Sequence, residues 1–214
     1  LGAFTTEWLL PRISSFEQEH PEIEVLIRAK LRGVDFDKDE ADVGIIVSRT
    51  VPTHVETQRL YTPCLLPIAS ADLVAKGPAI VRVSDLNNFK LLHATNTRPT
   101  WEQWATAVAP DEPLDTSRGY WLERASQVYQ AVREGVGIGL GQLLLVGHEL
   151  ANGSLVAPFG HMVPIPASIY LVWPKRRQPR QEVTLFRDWL LHEIASAEAD
   201  LADALPDLRL RENT

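Results

Sequence analysis

The chain has 214 residues, of which 45% are hydrophobic and 23% are charged, the balance of an ordinary globular protein. Its formal net charge is −7, whereas nucleic-acid binding normally needs a basic surface that displaces counterions from phosphate. The short basic cluster at 175–177, followed by Arg180, is interpreted as a solvated loop. The composition therefore argues against direct DNA binding by this part of the protein.

Export and membrane insertion are not indicated either. No stretch approaches the ~20 apolar residues of a membrane-spanning helix, and the first residues lack the basic and apolar regions of a signal peptide. The single cysteine, Cys64, excludes an internal disulfide, and its apolar neighbours predict a buried, inert thiol. We predict a cytoplasmic protein. Because the chain has no initiator Met, we interpret it as a fragment.

The first predicted helix carries Leu9, Ile13 and Phe16 at helical spacing, with Thr5 or Thr6 as its N-terminal cap. It should end at 20–21, since the residue before a proline is pushed out of helical space. Alternation over 23–27 then predicts a half-buried strand. The β-branched run 43–47 is typical of an inner parallel strand.

Strands and helices alternate through the rest of the chain, which predicts mostly parallel sheets with helices on their faces. Thr100 should cap one helix, and Gly135 should end another. We expect the polar tail after 194 to fray. The predicted strands are 60–69, 89–93, 136–140 and 168–173, and the predicted helices begin at 84, 101, 126, 143 and 182.

Motifs for cofactors, metals and catalysis fail on spacing or context. The glycines of 135–141 form no complete dinucleotide fingerprint and follow a helix instead of a strand. The aspartates of 35–39 lack the glycine and glutamate of a calcium loop, and the six histidines show no zinc spacing. No nucleophile is paired with a base, so we predict no cofactor, no metal and no enzymatic activity.

Two features leave a choice between structure and ligand binding. His93 ends a predicted strand ahead of a loop, and we favour a structural role with its polar atoms satisfied. Trp101 and Trp104 are three residues apart on a helix, and a core stripe is favoured over a ligand-stacking wall.

Six local phrases follow one another along the chain: Phe4-Thr-Thr-Glu-Trp-Leu-Leu-Pro-Arg-Ile13, Phe16-x-x-x-His-Pro-x-Ile-x-Val25, Asp42-Val-Gly-Ile45, Leu91-Leu-His93 with Trp101-x-x-Trp104, Gln130-Ala-Val-x-x-Gly-x-Gly-Ile-x-Leu-Gly141, and Leu150-x-x-Gly-x-Leu-Val-x-Pro-Phe159. In this order and spacing they resemble the effector-binding domain of LysR-type transcriptional regulators, over about residues 1–194. The fourth phrase is similar to the glycine-cleavage-activator and β-lactamase-regulator branch of that family.

The resemblance implies an α/β fold with two Rossmann-like lobes and a central cleft, like that of type 2 periplasmic binding proteins. Lobe I would comprise 1–68 plus 165–214, and lobe II would comprise 69–164. The winged helix-turn-helix that precedes this domain in the family would lie outside the chain, which explains the acidity.

The resemblance also implies ligand contacts, and elementary physics agrees with their location. In open α/β sheets, ligands bind beyond the carboxyl ends of strands, where helix N-termini favour polar or anionic groups. Glu123 and Arg124 stand where the family often has a small hydroxyl or carboxylate residue, and this long charged pair could fill the cleft or select a ligand that carries both charges. The implied contacts are Gly2, Ala3, Phe4, Thr5, Thr95, Leu122 and Glu123, and His93, Asn96, Arg98 and Arg124 are added on chemistry alone.

The expected function is to sense a small polar or anionic metabolite. The partners implied by the resemblance are a second copy in a homodimer or homotetramer, and DNA only through the domain outside this chain; no membrane partner is expected. A solute-binding protein for transport, which shares the fold, is the alternative. An enzyme on the same scaffold, such as a deaminase, is a third option.

Overall fold

A computed structural model describes residues 2–28, 34–95, 100–175 and 180–211. The chain divides into two units, one of residues 1–62 and 167–200, and one of 63–166 and 201–214. The predicted lobe boundaries at 68–69 and 164–165 lie a few residues from the boundaries between these units, at 62–63 and 166–167. The prediction placed 201–214 in lobe I, whereas these residues belong to the second unit. No helix of the described residues is both long and apolar enough to cross a membrane.

The first unit is built on a small antiparallel sheet. Its described strands are β1 (Gly44–Ser48), β2 (Glu56–Tyr61) and β9 (Ser168–Trp173), in the order β1-β9-β2. Helical elements accompany the sheet: a wide π-type helix Phe4–Leu9, α1 (Ile13–Glu19) and α6 (Gln181–Ala204). Phe16 packs its ring against Phe186 and Trp189 at centroid distances of 5.4 and 5.3 Å, so an aromatic cluster joins α1 to α6.

The second unit has a larger mixed sheet. Its strands are β3 (Cys64–Ser70), β4 (Leu91–Ala94), β5 (Tyr120–Leu122), β6 (Ile138–Gln142), β7 (Leu155–Val156), β8 (His161–Pro164) and β10 (Arg209–Leu210). They follow the order β10-β8-β3-β6-β4-β5, with β7 paired to β3. The helices are α2 (Ala71–Lys76), a 3₁₀ helix Val83–Asn88, α3 (Trp101–Val108), α4 (Ala125–Arg133) and α5 (Leu143–Ala151).

The predicted tryptophan stripe is confirmed as core. Trp101 and Trp104 are 2% and 0% exposed, and their rings meet edge to face at 5.8 Å. Each indole N–H also has a backbone acceptor: Trp101 donates to the Leu92 carbonyl at 3.0 Å and Trp104 to the His161 carbonyl at 3.2 Å. The stripe therefore fixes α3 against two different strands.

Several predicted elements agree closely with the structure. The helices 101–108 and 143–151 and the strand 168–173 have the predicted limits. Thr100 caps α3 as expected, because its hydroxyl accepts from the Gln103 N–H at 3.5 Å. Gly135 follows α4 with a φ of +68°, the left-handed conformation that ends helices.

Other predictions were wrong. Residues 23–28 form no strand, and β1 lies at the edge of its described sheet, antiparallel to β9, instead of being an inner parallel strand. Most strand pairs of the described sheets are antiparallel and not parallel. β9 is antiparallel to β1 and β2, and β3 is antiparallel to β6, β7 and β8. In contrast, β4 is parallel to β5 and β6, and β10 is parallel to β8. A continuous apolar run is common in parallel strands because they are buried on both faces, but the run by itself does not fix the direction of the neighbouring strand.

Both ends of the chain also differ from expectation. Neither Thr5 nor Thr6 caps the first helix, since helical backbone already begins at Gly2 and the Thr6 hydroxyl donates back to the Gly2 carbonyl at 3.0 Å. The tail does not fray after 194, because α6 continues to Ala204 and β10 pairs with β8. Cys64 is partly exposed instead of buried.

Candidate functional site

Three strands of the second unit end at one edge of the sheet. β4 pairs in parallel with both β5 and β6, so their carboxyl ends point the same way. Each is followed by a helix: α3 after β4, α4 after β5 and α5 after β6. We call this edge, with the first turns of the three helices, the strand-end edge. It is the location where open α/β sheets bind ligands.

At the start of α3, the capping bonds do not involve the first two backbone N–H groups of the helix. Thr100 and Gln103 form a reciprocal cap, in which the Gln103 carboxamide accepts from the Thr100 N–H at 2.9 Å. Trp104 N–H bonds the Thr100 carbonyl at 2.9 Å. The N–H groups of Trp101 and Glu102 have no acceptor within the helix, as at any helix start. These N–H groups and the helix dipole favour a polar or anionic group at this helix start, whereas the carboxylate of Glu102 in the same turn opposes an anion.

The start of α4 is built similarly. The Gln127 carboxamide accepts from the Arg124 N–H at 3.0 Å, and the Gln127 N–H bonds the Arg124 carbonyl at 3.1 Å. Leu122 is half-buried, whereas Glu123 and Arg124 are exposed. Neither charged side chain forms an ion pair with a residue that the structure describes. Both remain able to contact a charged group.

Between the two helix starts, Thr95 ties the loop to the neighbouring strand. Its N–H donates to the Leu122 carbonyl at 2.9 Å, while its side chain is exposed. The loop that follows includes the predicted contacts Asn96 and Arg98, which lie outside the described residues.

His93 lies just inside this edge and is 5% exposed. Its Nε2 is 3.1 Å from the Arg118 carbonyl, and its ring stacks on Trp121 at a centroid distance of 4.1 Å and an angle of 10°. The favoured structural role is thus supported for one ring nitrogen. Among the described residues, Nδ1 has no hydrogen-bond partner.

A small cavity of about 30 Å³ opens at the strand-end edge. It has an apolar wall, a hydroxyl from Thr100 and the imidazole of His93. The lining residues are Leu92, His93, Ala94, Thr100, Trp101, Trp121, Val128 and Leu140. Thr100, Trp101 and Trp121 were not among the predicted site residues, although the capping box Thr100-x-x-Gln103 already indicated that the chain begins a helix there.

A larger cavity of about 120 Å³ lies along the side of α3 and the loop after it. Its carboxylate Glu112 already accepts from the Ser84 N–H at 3.1 Å and lies 3.7 Å from Arg82. Its walls include no strand end, and Glu102 is the one lining residue from the first turn of α3, so we consider it the weaker candidate.

The remaining predicted contacts are in the first unit. Gly2 is exposed, with open space around its Cα, and Ala3 and Thr5 are half-buried. Phe4 is 3% exposed and stacks on Trp8 at 5.2 Å, so most of its ring serves the core. The structure thus gathers His93, Thr95, Leu122, Glu123 and Arg124 at one edge of the second unit and Gly2–Thr5 at one helix start of the first.

Metal binding has no support in the part of the chain that the structure describes. That part contains no group of three or more His, Cys, Asp or Glu residues able to hold a metal ion. The strand-end edge offers backbone N–H groups, one imidazole and hydroxyls, a set that suits an organic ligand with polar groups better than a cation.

Comparison with known proteins agrees with this architecture. The chain is 33% identical to a glycine cleavage system transcriptional activator homolog of Haemophilus influenzae, over 91% of this chain and 64% of that protein. It is 28% identical to the glycine cleavage system transcriptional activator of Escherichia coli K12, over 92% and 64%. The chain thus spans a little under two thirds of the length of these relatives.

A solved structure matches as well. The effector domain of the transcriptional regulator AmpR of Pseudomonas aeruginosa has a TM-score of 0.73 and 26% sequence identity, covering 94% of this chain and 95% of that one. Residues 1–195 also match the family described as the LysR substrate binding domain. The chain therefore belongs to the LysR substrate binding domain family.

Proposed function

We propose that this chain is the effector-sensing part of a LysR-type transcriptional regulator and binds a small polar or anionic metabolite. The observation that carries the proposal is the strand-end edge, where the starts of α3, α4 and α5 follow three neighbouring parallel strands. The dipoles and free N–H groups at helix starts favour a carboxylate or another polar group there.

The proposal extends to the whole protein. The relatives from Haemophilus influenzae and Escherichia coli are transcriptional activators that are longer than this chain, so we propose that DNA is bound by a winged helix-turn-helix domain outside it. A homodimer or homotetramer in the cytoplasm would pass on the signal. The transport alternative has no counterpart among those relatives.

An effector can shift the equilibrium between two arrangements of the protein only if its affinities for the two arrangements differ. Binding should therefore also stabilise the folded chain, by an amount that grows with ligand concentration above Kd. We would screen amino acids, aromatic carboxylates and cell-wall peptides by thermal unfolding of the purified chain. A concentration-dependent rise in Tm is the expected result for at least one of these compounds.

Two substitutions test the location. Thr5→Ala and Thr95→Ala should each reduce the ligand-induced rise in Tm, since each removes a hydroxyl at a predicted contact. Thr184→Ala is the control, because among the described residues its hydroxyl bonds just the Arg180 carbonyl, one residue before α6, at 3.5 Å. Unchanged ligand stabilisation in both Thr5→Ala and Thr95→Ala would reject the proposed site.

A further inference from the structure

The last strand of the second unit is held to its neighbour by few contacts. β10 consists of Arg209 and Leu210, both exposed, and it pairs in parallel with β8. The Arg209 N–H donates to the Gly160 carbonyl at 2.6 Å, and the Arg211 N–H donates to the Met162 carbonyl at 2.8 Å. Because the exposed side chains bury little apolar surface, the strand adds little stability of its own. A single side-chain interaction can therefore decide whether β10 stays bound to β8.

One pair of side chains joins the same two strands. Nη2 of Arg211 lies 2.8 Å from Nε2 of His161. Because a guanidinium can only donate, Nε2 accepts this hydrogen bond, and the neutral ring carries its proton on Nδ1. Nδ1 is buried and has no hydrogen-bond partner among the described residues. The bond between Arg211 and His161 therefore exists only while the ring is neutral.

Among the described residues, one charge acts on the His161 ring. The elements packed closely against β8 are β3, α3 and β10, and their titratable or charged side chains, with that of the turn before β10, are Cys64, Glu102, Asp207, Arg209 and Arg211. The Arg209 guanidinium bonds backbone carbonyls of its own segment. Burial lowers the pKa of His161, and the charge of Arg211 lowers it further. The protonated ring would therefore lie beside a like charge that no described carboxylate offsets.

Protonation of His161 replaces an attraction by a repulsion. Both nitrogens of the charged ring donate, so the bond from Arg211 is lost and two cations lie side by side, although solvent weakens their repulsion at this exposed position. The pKa of His161 is lower while Arg211 is beside it than after the strand has left. Binding of β10 is thus strongest above the pKa of the free ring, about 6.5, and weakens as the pH falls through the lowered pKa.

We propose that β10 is released from β8 at acid pH, because protonation of His161 breaks the bond with Arg211. Release frees the edge of β8, where the Gly160 and Met162 carbonyls lose their donors from the last strand. β10 is at the opposite edge of its sheet from β5 and follows residue 195, where the family match ends. The proposal is therefore independent of ligand binding at the strand-end edge.

NMR on the full 214-residue chain follows both events. The His161 ring is titrated, and the hydrogen-exchange protection of the Arg211 N–H is measured relative to an unstructured peptide at each pH. Protection should fall by about fivefold or more between about pH 7.5 and about pH 5, because a charge-assisted hydrogen bond is lost and solvent offsets only part of the loss. The fall should cover the same pH range as the titration of the ring.

Three variants separate this titration from other effects of acid. His161→Gln places an amide oxygen near the position of Nε2, where it accepts from Arg211 at every pH, so protection should persist in acid. Arg211→Gln removes the positive charge, so its loss of protection should be smaller than that of the parent chain. His148→Gln removes an exposed histidine of α5 and is the control, which should lose protection as the parent does.

The parent chain and the variants each give a decision. Loss of protection over the pH range of the His161 titration, with protection retained in His161→Gln, supports the proposal. Constant protection in the parent, or a loss outside that pH range, overturns it, as does a full loss in His161→Gln. If His161→Gln is already unprotected at neutral pH, Arg211→Gln decides: a loss as large as that of the parent overturns the proposal, and a smaller one supports it.

Discussion

At the scale of single residues, the loop before β5 depends on a glycine. Gly119 has a φ of +130°, and a Cβ placed there would collide with the Leu91 carbonyl and lie 3.2 Å from Nε2 of His93. Only glycine adopts this conformation without strain. Gly119 therefore allows the Arg118 carbonyl to approach Nε2 of His93.

Replacing Gly119 by alanine should destabilise the protein by about 3 kcal/mol, because backbone strain adds to a clash with a main-chain carbonyl. Urea unfolding would measure the change. Gly153→Ala is the control, since Gly153 also has a positive φ, of +78°, but its Cβ would meet nothing within 4 Å. That variant should lose only about 1 kcal/mol, and equal losses would refute the proposed clash.

At the scale of secondary-structure elements, α4 and α5 are joined by a two-pronged ion pair. Arg133 on α4 donates from Nε and Nη2 to the two carboxylate oxygens of Glu149 on α5, at 2.7 and 3.0 Å. The side chains are 29% and 22% exposed, so solvent weakens the pair only in part. The pair therefore joins the carboxyl-terminal end of α4 to the last turns of α5.

A double-mutant cycle with Arg133→Ala and Glu149→Ala should give a coupling free energy of about 1–2 kcal/mol, as expected for charge-assisted hydrogen bonds with this geometry. The pair Asp72–Lys76, whose side chains are 83% and 76% exposed, serves as the comparison. It should show a coupling of at most about 0.5 kcal/mol. A coupling between Arg133 and Glu149 as small as that of the exposed pair would contradict this role.

At the scale of the whole molecule, the end of the chain completes the second unit. Leu201 packs on Gly147 of α5, and β10 pairs with β8. Arg211 lies with Nη2 2.8 Å from Nε2 of His161. Burial lowers the pKa of His161, and the neighbouring charge of Arg211 lowers it further.

Truncation after Asp200 should therefore reduce hydrogen-exchange protection in β8 while leaving β1 and β9 of the first unit unchanged. The pKa of His161 should rise towards that of a free histidine, because the deletion exposes the ring and removes the arginine. Hydrogen exchange and an NMR titration would test the two effects. Protection in β8 equal to that of the intact chain would mean that the tail is dispensable.

The sequence by itself was sufficient for the local elements and for the family. Apolar spacing and capping residues such as Thr100 and Gly135 act within one or two turns, so they set the limits of α3, α4 and α5. The resemblance predicted the α/β fold and pointed to Thr95, Leu122 and Glu123, and the chemistry of their side chains added His93 and Arg124.

Only the tertiary structure decided strand direction, the start of the first helix and the docking of the tail. These depend on partners distant in sequence, such as β9 for β1 and β8 for β10, which local patterning does not encode. The same holds for His93: its place at the end of a strand was predicted, but which nitrogen is free depends on the Arg118 carbonyl, 25 residues away, and on the ring of Trp121.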